Sequence, residues 1–214
     1  MVTLKMAIIF LMEQIRTPFS LIWTIMSPTV LFFFLHFNEI ELHYGDTAWL
    51  GKQISWFVGY ISFSVVLFNY CLYLVGRRES GFIATFVHNM DGRLLFIRSQ
   101  LIASLIMSIL YVFFFILVVL TGFQASPDYQ IVMIILKSIY INAFMMVSLT
   151  FMASFRVTFQ TASTIYSVLI TVCMVSGIVS LKYNEGIVYW INQVNPIAIY
   201  STILQSDQEL SLMT

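Results

Sequence analysis

The first group of side chains able to do chemistry lies just after an early apolar run. Its members are His36, Glu39, Glu41, His43 and Asp46. Imidazole and carboxylate groups of this kind can bind a divalent cation. Nothing in the sequence holds them in a fixed geometry, so solvated loop charges are the better interpretation and we predict no metal site.

The second group follows the next apolar run, where charged residues replace apolar ones within two positions. It reads Gly76, Arg77, Arg78, Glu79, Ser80, Gly81 and Phe82. Arginines at the cytoplasmic end of a membrane span are expected from the positive-inside rule. That rule does not explain Glu79 and Gly81 at this spacing. We expect residues 76–94 to form a cytoplasmic segment with a short helix and a turn.

Motifs for independent chemistry are absent from the sequence. No glycine-rich loop ends in Gly-Lys-Ser/Thr, and no HExxH helix occurs. We therefore predict no catalytic site and no cofactor bound by this chain. The apolar runs also lack the charged pairs that proton-coupled carriers carry inside the membrane, which disfavours a secondary transporter.

The composition predicts an all-α integral membrane protein. Hydrophobic residues make up 60% of the 214 positions and charged residues only 9%, against about a quarter in a soluble domain. Within lipid, a chain must satisfy its backbone polar groups as helices or as a closed barrel. The apolar runs last about 18 to 27 residues without strand-like alternation, which favours helices. A net charge of zero gives no reason to expect nucleic acid.

The apolar runs predict a helix bundle with five spans inside one transmembrane domain, residues 18–214. The spans are residues 19–37, 54–75, 99–121, 131–155 and 162–181. In residues 1–17 the apolar side chains recur at helical spacing, and Glu13 and Arg16 lie outside that apolar pattern. This arrangement predicts an amphipathic helix in the membrane interface. The two cysteines fall in different runs, so we expect no disulfide.

The positive-inside rule predicts a cytoplasmic N-terminus. With that orientation seven of the ten Lys and Arg residues lie inside. Residues 187–204 are apolar on average but carry Asn192, Gln193, Asn195 and Pro196 in their middle. Burying these amides in a lipid-facing span would cost considerable free energy. An outer re-entrant or interfacial segment is therefore predicted there.

Polar residues within the spans allow two interpretations. Ser163, Ser167, Thr171 and Gly177 recur in the fifth run, and Asn69 lies in the second. Small and hydroxylated residues let membrane helices pack closely, and the same face could also line a translocation path. Lys137 either reaches toward the nearer interface or acts as a functional cation.

The segment after the second run resembles the E-R-E-x-G stretch of ABC-2 type transporter permeases. Arg78, Glu79 and Gly81 match it, and Arg77 stands where that family often has an acid. The N-terminal helix before Arg16 is also similar to that family. So is the stretch Asn195, Pro196 and Tyr200, which looks like its outer re-entrant region. The family's sixth span is missing, so we expect a truncated, incomplete or unusual chain.

The resemblance implies the permease subunit of an ABC exporter. ATP and Mg²⁺ would bind a separate cytoplasmic ATPase, and a second permease copy or homologue would complete a homodimer or heterodimer. Contacts to the ATPase would come from Arg77, Arg78, Glu79, Gly81, Phe82 and Phe86. Small permeases of this kind resemble peptide or toxin exporters of the bacterial cell membrane. The alternatives are a secondary transporter and a non-transporting immunity or assembly protein.

Overall fold

The computed structural model describes residues 2–16, 18–82, 90–182 and 185–211, and this part of the chain is helical without a β-strand. The predicted all-α class is confirmed. The helices are α1 (Val2–Ile15), α2 (Pro18–Leu35), α3 (Thr47–Ser64), α4 (Tyr73–Glu79), α5 (Met90–Gly122), α6 (Tyr129–Leu149), α7 (Phe159–Lys182), α8 (Gly186–Val194) and α9 (Pro196–Ser211). A π-helical segment, Val65–Leu72, joins α3 to α4 without a break.

Four described helices are long and apolar enough to cross a membrane, which indicates a membrane protein. They are Thr47–Glu79, Met90–Gly122, Tyr129–Met152 and Phe159–Ser180. These helices contain most of the predicted second to fifth spans. The predicted first span overlaps α2, where the described residues give a shorter apolar helix, Thr24–Leu35. The predicted first span, residues 19–37, therefore stays a prediction.

Two of the helices extend well beyond the apolar runs that predicted them, whereas the predicted runs 19–37 and 131–155 reach past the ends of α2 and α6. The second run, 54–75, lies inside the helix Thr47–Glu79, and the third, 99–121, lies inside Met90–Gly122. The carboxylate of Asp46 caps the first of these helices by accepting from the Trp49 amide at 3.0 Å. Residues 90–94, predicted as part of the cytoplasmic segment, belong to α5. Hydropathy thus marks the apolar core of each helix and not its ends.

The helix Thr47–Glu79, here called the central rod, is the centre of the bundle. Of its most apolar stretch 72% is buried, against 28% for the corresponding stretches of α6 and α7. α2, α5, α6, α7 and α9 all pack against its α3 part. Its apolar side chains therefore pack mainly on protein, whereas α6 and α7 leave much of their surface exposed.

Helix α1 packs along α5 through one narrow face. Ala7 and Phe10 are buried there, and the Phe10 ring meets Phe96 edge-on at 5.4 Å. The opposite face is apolar and exposed, at Val2, Leu4, Ile8, Ile9, Met12 and Ile15. An exposed apolar face suits a helix that lies in the membrane interface, which stays a prediction.

The helix is interrupted between α8 and α9 at Asn195. Both the amide nitrogen and the amide oxygen of the Asn195 side chain are hydrogen-bonded. Its amide nitrogen donates to the Cys173 carbonyl at 2.7 Å and to the Ser176 hydroxyl at 3.1 Å. Its oxygen accepts from the Ile197 amide at 2.9 Å, which caps α9. The Asn195 amide, one of those that argued against a lipid-facing span, is thus hydrogen-bonded inside the protein. The re-entrant position of this region in a membrane stays a prediction.

A buried polar cluster ties four helices together at Asn142. The amide nitrogen of Asn142 in α6 donates to Ser62 in α3 at 3.2 Å and to Ser108 in α5 at 2.5 Å. Its oxygen lies 3.1 Å from the hydroxyl of Tyr200 in α9. That hydroxyl also donates to the Ser138 carbonyl at 2.9 Å. An apolar bundle gains specific helix register from such a cluster.

We expect Asn142→Leu to destabilise the bundle by about 1–2 kcal/mol, because it leaves buried hydroxyls without their partner. Thermal unfolding of the purified protein in detergent measures this. Thr171→Val is the matched control, since the Thr171 hydroxyl is exposed and bonds only within its own helix, to the Ser167 carbonyl. Equal unfolding midpoints for the two variants would contradict the role given to the cluster.

Candidate coupling site

The end of the central rod carries the segment singled out by the sequence, residues 76–82, here called the elbow. α4 ends at Glu79, and Gly81 follows with φ +74°. The Ser80 and Gly81 amides donate back to the carbonyls of Gly76 and Arg78 at 3.0 and 3.1 Å. This is a helix stop that glycine permits because it adopts positive φ without a Cβ clash. Gly81 therefore has a local structural role.

Arg77 joins the elbow to α1. Its guanidinium donates to the carboxylate of Glu13 and, at 2.8 Å, to the Tyr73 hydroxyl. The Tyr73 hydroxyl in turn donates to Glu13 at 2.8 Å. The guanidinium also lies over the rings of Tyr73 and Phe82, at 4.9 and 5.1 Å from their centres. Arginine suits this position because its guanidinium can pair with a carboxylate and stack on aromatic rings at the same time.

Arg78 joins the elbow to the connection between α6 and α7. Its guanidinium donates to the backbone carbonyls of Phe155 and Val157. These two carbonyls lie in the short stretch between the turn that follows α6 and the start of α7. They do not accept hydrogen bonds within a helix there. The arginine thus fixes a piece of backbone that the helices leave open.

Glu79 caps α7, a helix distant in the sequence. Its carboxylate accepts from the amide of Phe159, the first residue of α7. A helix N-terminus presents unpaired amides and a partial positive charge, so a carboxylate there is favourable. The Phe159 ring lies close to Gly76, where an added Cβ would come within 3.1 Å of it. The elbow and the start of α7 are therefore in direct contact.

The remaining predicted coupling residues differ in what they contact. Phe82 is half-buried and packs on Phe96 of α5 at 5.8 Å, besides covering Arg77. Phe86 lies outside the described residues. Arg16 is exposed at the end of α1, one turn from Glu13. The structure thus brings Glu13, the elbow and the 155–159 connection together at one end of the bundle.

The residues predicted to pack helices or to line a translocation path lie in different parts of the structure. Ser167 and Thr171 are exposed on α7 and bond to carbonyls of that same helix, Ser163 and Ser167, at 2.8 and 2.7 Å. Gly177 is buried against the Trp56 indole, where an added Cβ would come within 2.7 Å. Gly177 is therefore a close-packing position.

Asn69 lies in the π-helical segment, where the backbone is open for outside partners. Its carbonyl accepts from the Gln100 side chain at 2.8 Å and from the Ser104 hydroxyl at 3.2 Å. A π-helical turn disrupts the regular hydrogen-bond pattern, and such turns are frequent at functional sites. Gln100 itself is fully buried. Asn69 also lines a cavity beside α2.

Sequence reasoning missed the polar groups that tie these regions together, namely Tyr73, Gln100 and Asn142. For the last two a signal existed, because each is a single amide inside or at the edge of an apolar run, where an unpaired polar group is costly. Lys137 also has a partner, since its ammonium lies 3.2 Å from the Ser206 hydroxyl of α9. These partners lie far apart in sequence, so spacing alone does not reveal them.

Four of the five histidines and acids between α2 and α3 form two local pairs. His36 meets Glu39 at 2.7 Å, and His43 meets Asp46 at 3.2 Å while stacking on the Trp49 indole at 4.2 Å. The Trp49 amide and then the His43 side chain hold the pKa of Asp46 below its ordinary value. In the part of the chain that the structure describes, no three such groups converge on a metal position.

We expect the charge reversals Glu13→Arg and Arg77→Glu each to lower stability, by about 1 kcal/mol, since the pair is partly exposed. The double reversal should recover part of that loss, because it restores opposite charges. Thermal unfolding of the four proteins measures the coupling between the two sites. Lys5→Glu on the exposed face of α1 serves as control, and strictly additive effects would contradict a direct Glu13–Arg77 interaction.

Neither protein-family models nor solved structures assign the chain to a family. No protein-family model matches the chain, and no solved structure matches it significantly. A function for this protein therefore has to be argued from its own residues.

Proposed function

We propose that this chain is the membrane-spanning permease subunit of an ABC exporter, driven by ATP hydrolysis on a separate cytoplasmic subunit. The observation that carries the proposal is the elbow. Three consecutive charged residues, Arg77, Arg78 and Glu79, link the central rod to α1 and to the start of α7. A partner that displaces this segment would act on three helices at once.

The elbow contacts suit a two-state device. Arg78 and Glu79 bond to backbone groups at a helix boundary, and a modest shift of α7 would exchange these bonds for bonds to water or to a partner protein. A switch of this kind needs a bistable interface and no catalytic residue. In the proposed complex, ATP-driven closure of the ATPase would bias the interface toward one arrangement.

The distribution of cations supports a cytoplasmic elbow. Lys5, Arg16 and the arginines at 77, 78, 93, 98 and 156 would face the cytoplasm, seven of the ten basic residues in the chain. Arg77 contacts α1 and Arg78 contacts the connection that follows Phe155, so the basic residues of these segments belong to one end of the bundle. The N-terminus would then also be cytoplasmic.

The proposed cargo is amphipathic or hydrophobic, with a peptide, toxin or antimicrobial compound as the favoured class. Support comes from the exposed apolar faces of α6 and α7, exemplified by Tyr140, Phe144 and Val172. A second permease copy or a homologue would pack against such a face within the bilayer. These surfaces favour a cargo that partitions into the membrane over a large hydrophilic one.

The proposal is tested by affinity purification of the chain from its native membrane in mild detergent, with mass spectrometry and an ATPase assay of what co-elutes. We expect a stoichiometric ATP-binding subunit. Recovery of the chain without any ATPase would contradict the proposal and favour a secondary transporter or a non-transporting immunity or assembly protein.

In the purified complex we expect Glu79→Lys to uncouple ATP hydrolysis from export, because it puts a cation at the positive end of α7 and removes the cap on Phe159. Export into vesicles should fall at least tenfold while ATP hydrolysis continues. Glu41→Lys, with the same change of charge in the outer loop, is the control. Undiminished export by a well-expressed Glu79→Lys protein would contradict the coupling role.

A further inference from the structure

A cavity of about 520 Å³ lies within this single chain, between α2, the central rod and α7. This volume falls in the range of roughly 300–1,000 Å³ that is usual for small-molecule sites. Pro28, which interrupts the hydrogen bonding of α2, and the π-helical segment both border the cavity. The two irregular backbones create space where regular helices would pack closely.

The cavity combines a polar part with an apolar part. Hydroxyl and amide groups enter it from α2 and the central rod, at Thr24, Ser27, Tyr60, Ser64 and Asn69. The Tyr60 hydroxyl lies beside Ser27, and the Asn69 side chain lies within reach of the Tyr111 hydroxyl. Such groups can donate to and accept from a ligand that carries a hydroxyl or an amide.

The rest of the wall is apolar and aromatic, at Val65, Phe68, Leu72 and Ile170. None of the described residues that line the cavity carries a carboxylate, an ammonium or a guanidinium. A charged ligand would leave its charge unpaired in an apolar bundle, which costs several kcal/mol. An alkyl or aromatic group, by contrast, would find matching surface.

We infer that this cavity binds an uncharged amphiphile with a hydroxyl- or amide-bearing head and one aliphatic or aromatic body. Ser64 and Asn69 orient the head, and Phe68, Leu72 and Ile170 hold the body. The site lies inside one copy of the chain and needs no ATPase, so it stands independently of the proposed export function.

Asn69 links this site to the rest of the bundle. Its side chain borders the cavity while its carbonyl is held by Gln100 and Ser104 of α5. These backbone contacts do not depend on the Asn69 side chain. Asn69→Leu therefore keeps them and the approximate size of the residue while it removes the amide, which also faces the Tyr111 hydroxyl.

The probe is octyl glucoside with a photoactivatable diazirine on its alkyl chain, applied to the full chain in phosphatidylcholine nanodiscs. We expect saturable labelling of peptides that contain Phe68, Leu72 or Ile170. Unmodified octyl glucoside should compete, whereas octyl sulfate and octyltrimethylammonium, with the same chain length and a charged head, should not. Unsaturable labelling, or equal competition by the charged compounds, would overturn the inference.

Variants test the assigned residues. Asn69→Leu and Ser64→Ala should each weaken competition by octyl glucoside about fivefold, the effect of one lost hydrogen bond. Ser167→Ala on the exposed face of α7 should leave it unchanged. Ile170→Trp should abolish labelling by filling the apolar end, and it tests the site even if Asn69→Leu fails to fold. Wild-type saturable labelling of a folded Ile170→Trp protein would contradict the assignment.

A final competition measurement distinguishes a ligand that comes from the bilayer from one of the same chemistry that comes from solution. Monoacylglycerol added to the nanodiscs supplies an uncharged hydroxyl head on a single-chain membrane lipid, and octyl glucoside supplies it from solution. Competition by monoacylglycerol would assign the site to a lipid of the bilayer. Competition by octyl glucoside alone would assign it to a free amphiphile, and competition by neither would overturn the inference.

Discussion

Buried polar groups in a bundle with this little charge must find their partners inside the protein, because neither lipid nor apolar side chains can replace water. The central rod is where most of these partners meet. Ser62 reaches Asn142 of α6, and the Asn69 carbonyl reaches Gln100 of α5. At the exposed end of the rod, Glu79 reaches the start of α7. The packing of the other helices follows from these few directional contacts as much as from apolar burial.

The same rod connects the cavity to the elbow. Asn69 and Arg77 are eight residues apart on one continuous helix, a separation of roughly 12 Å at 1.5 Å per residue. The π-helical segment lies beside the cavity, and the elbow lies beside α1 and α7. A change in the register of this helix would therefore alter both places together. Such a shared element is a physical basis for coupling between two sites.

The sequence was sufficient to predict the helical class and the cores of the membrane-length helices, because long apolar runs leave few alternatives. It also identified the elbow, because Glu79 and Gly81 are unexpected among anchoring arginines. It could not identify what the elbow contacts. The partners of Arg78 are the backbone carbonyls of Phe155 and Val157, and their availability depends on where two helices end. Helix ends are not encoded by hydropathy alone.

The π-helical segment and the polar cluster were likewise beyond sequence reasoning. Val65–Leu72 reads as an ordinary apolar helix, and its open carbonyl at Asn69 depends on Gln100 and Ser104 being opposite. Asn142 is an amide in a long apolar run, and the sequence does not show that its partners lie on three other helices. In both places the deciding contact joins residues more than 30 positions apart.

The claim that Arg78 and Glu79 hold the start of α7 against the end of the central rod is tested most directly by a distance. Spin labels at Ser80→Cys and Gln160→Cys, with Cys71 and Cys173 replaced by alanine, report that separation by pulsed electron spin resonance. The account predicts one narrow, short distance that lengthens and broadens when Arg78→Ala and Glu79→Ala are added. An unchanged narrow distribution in that variant would contradict it.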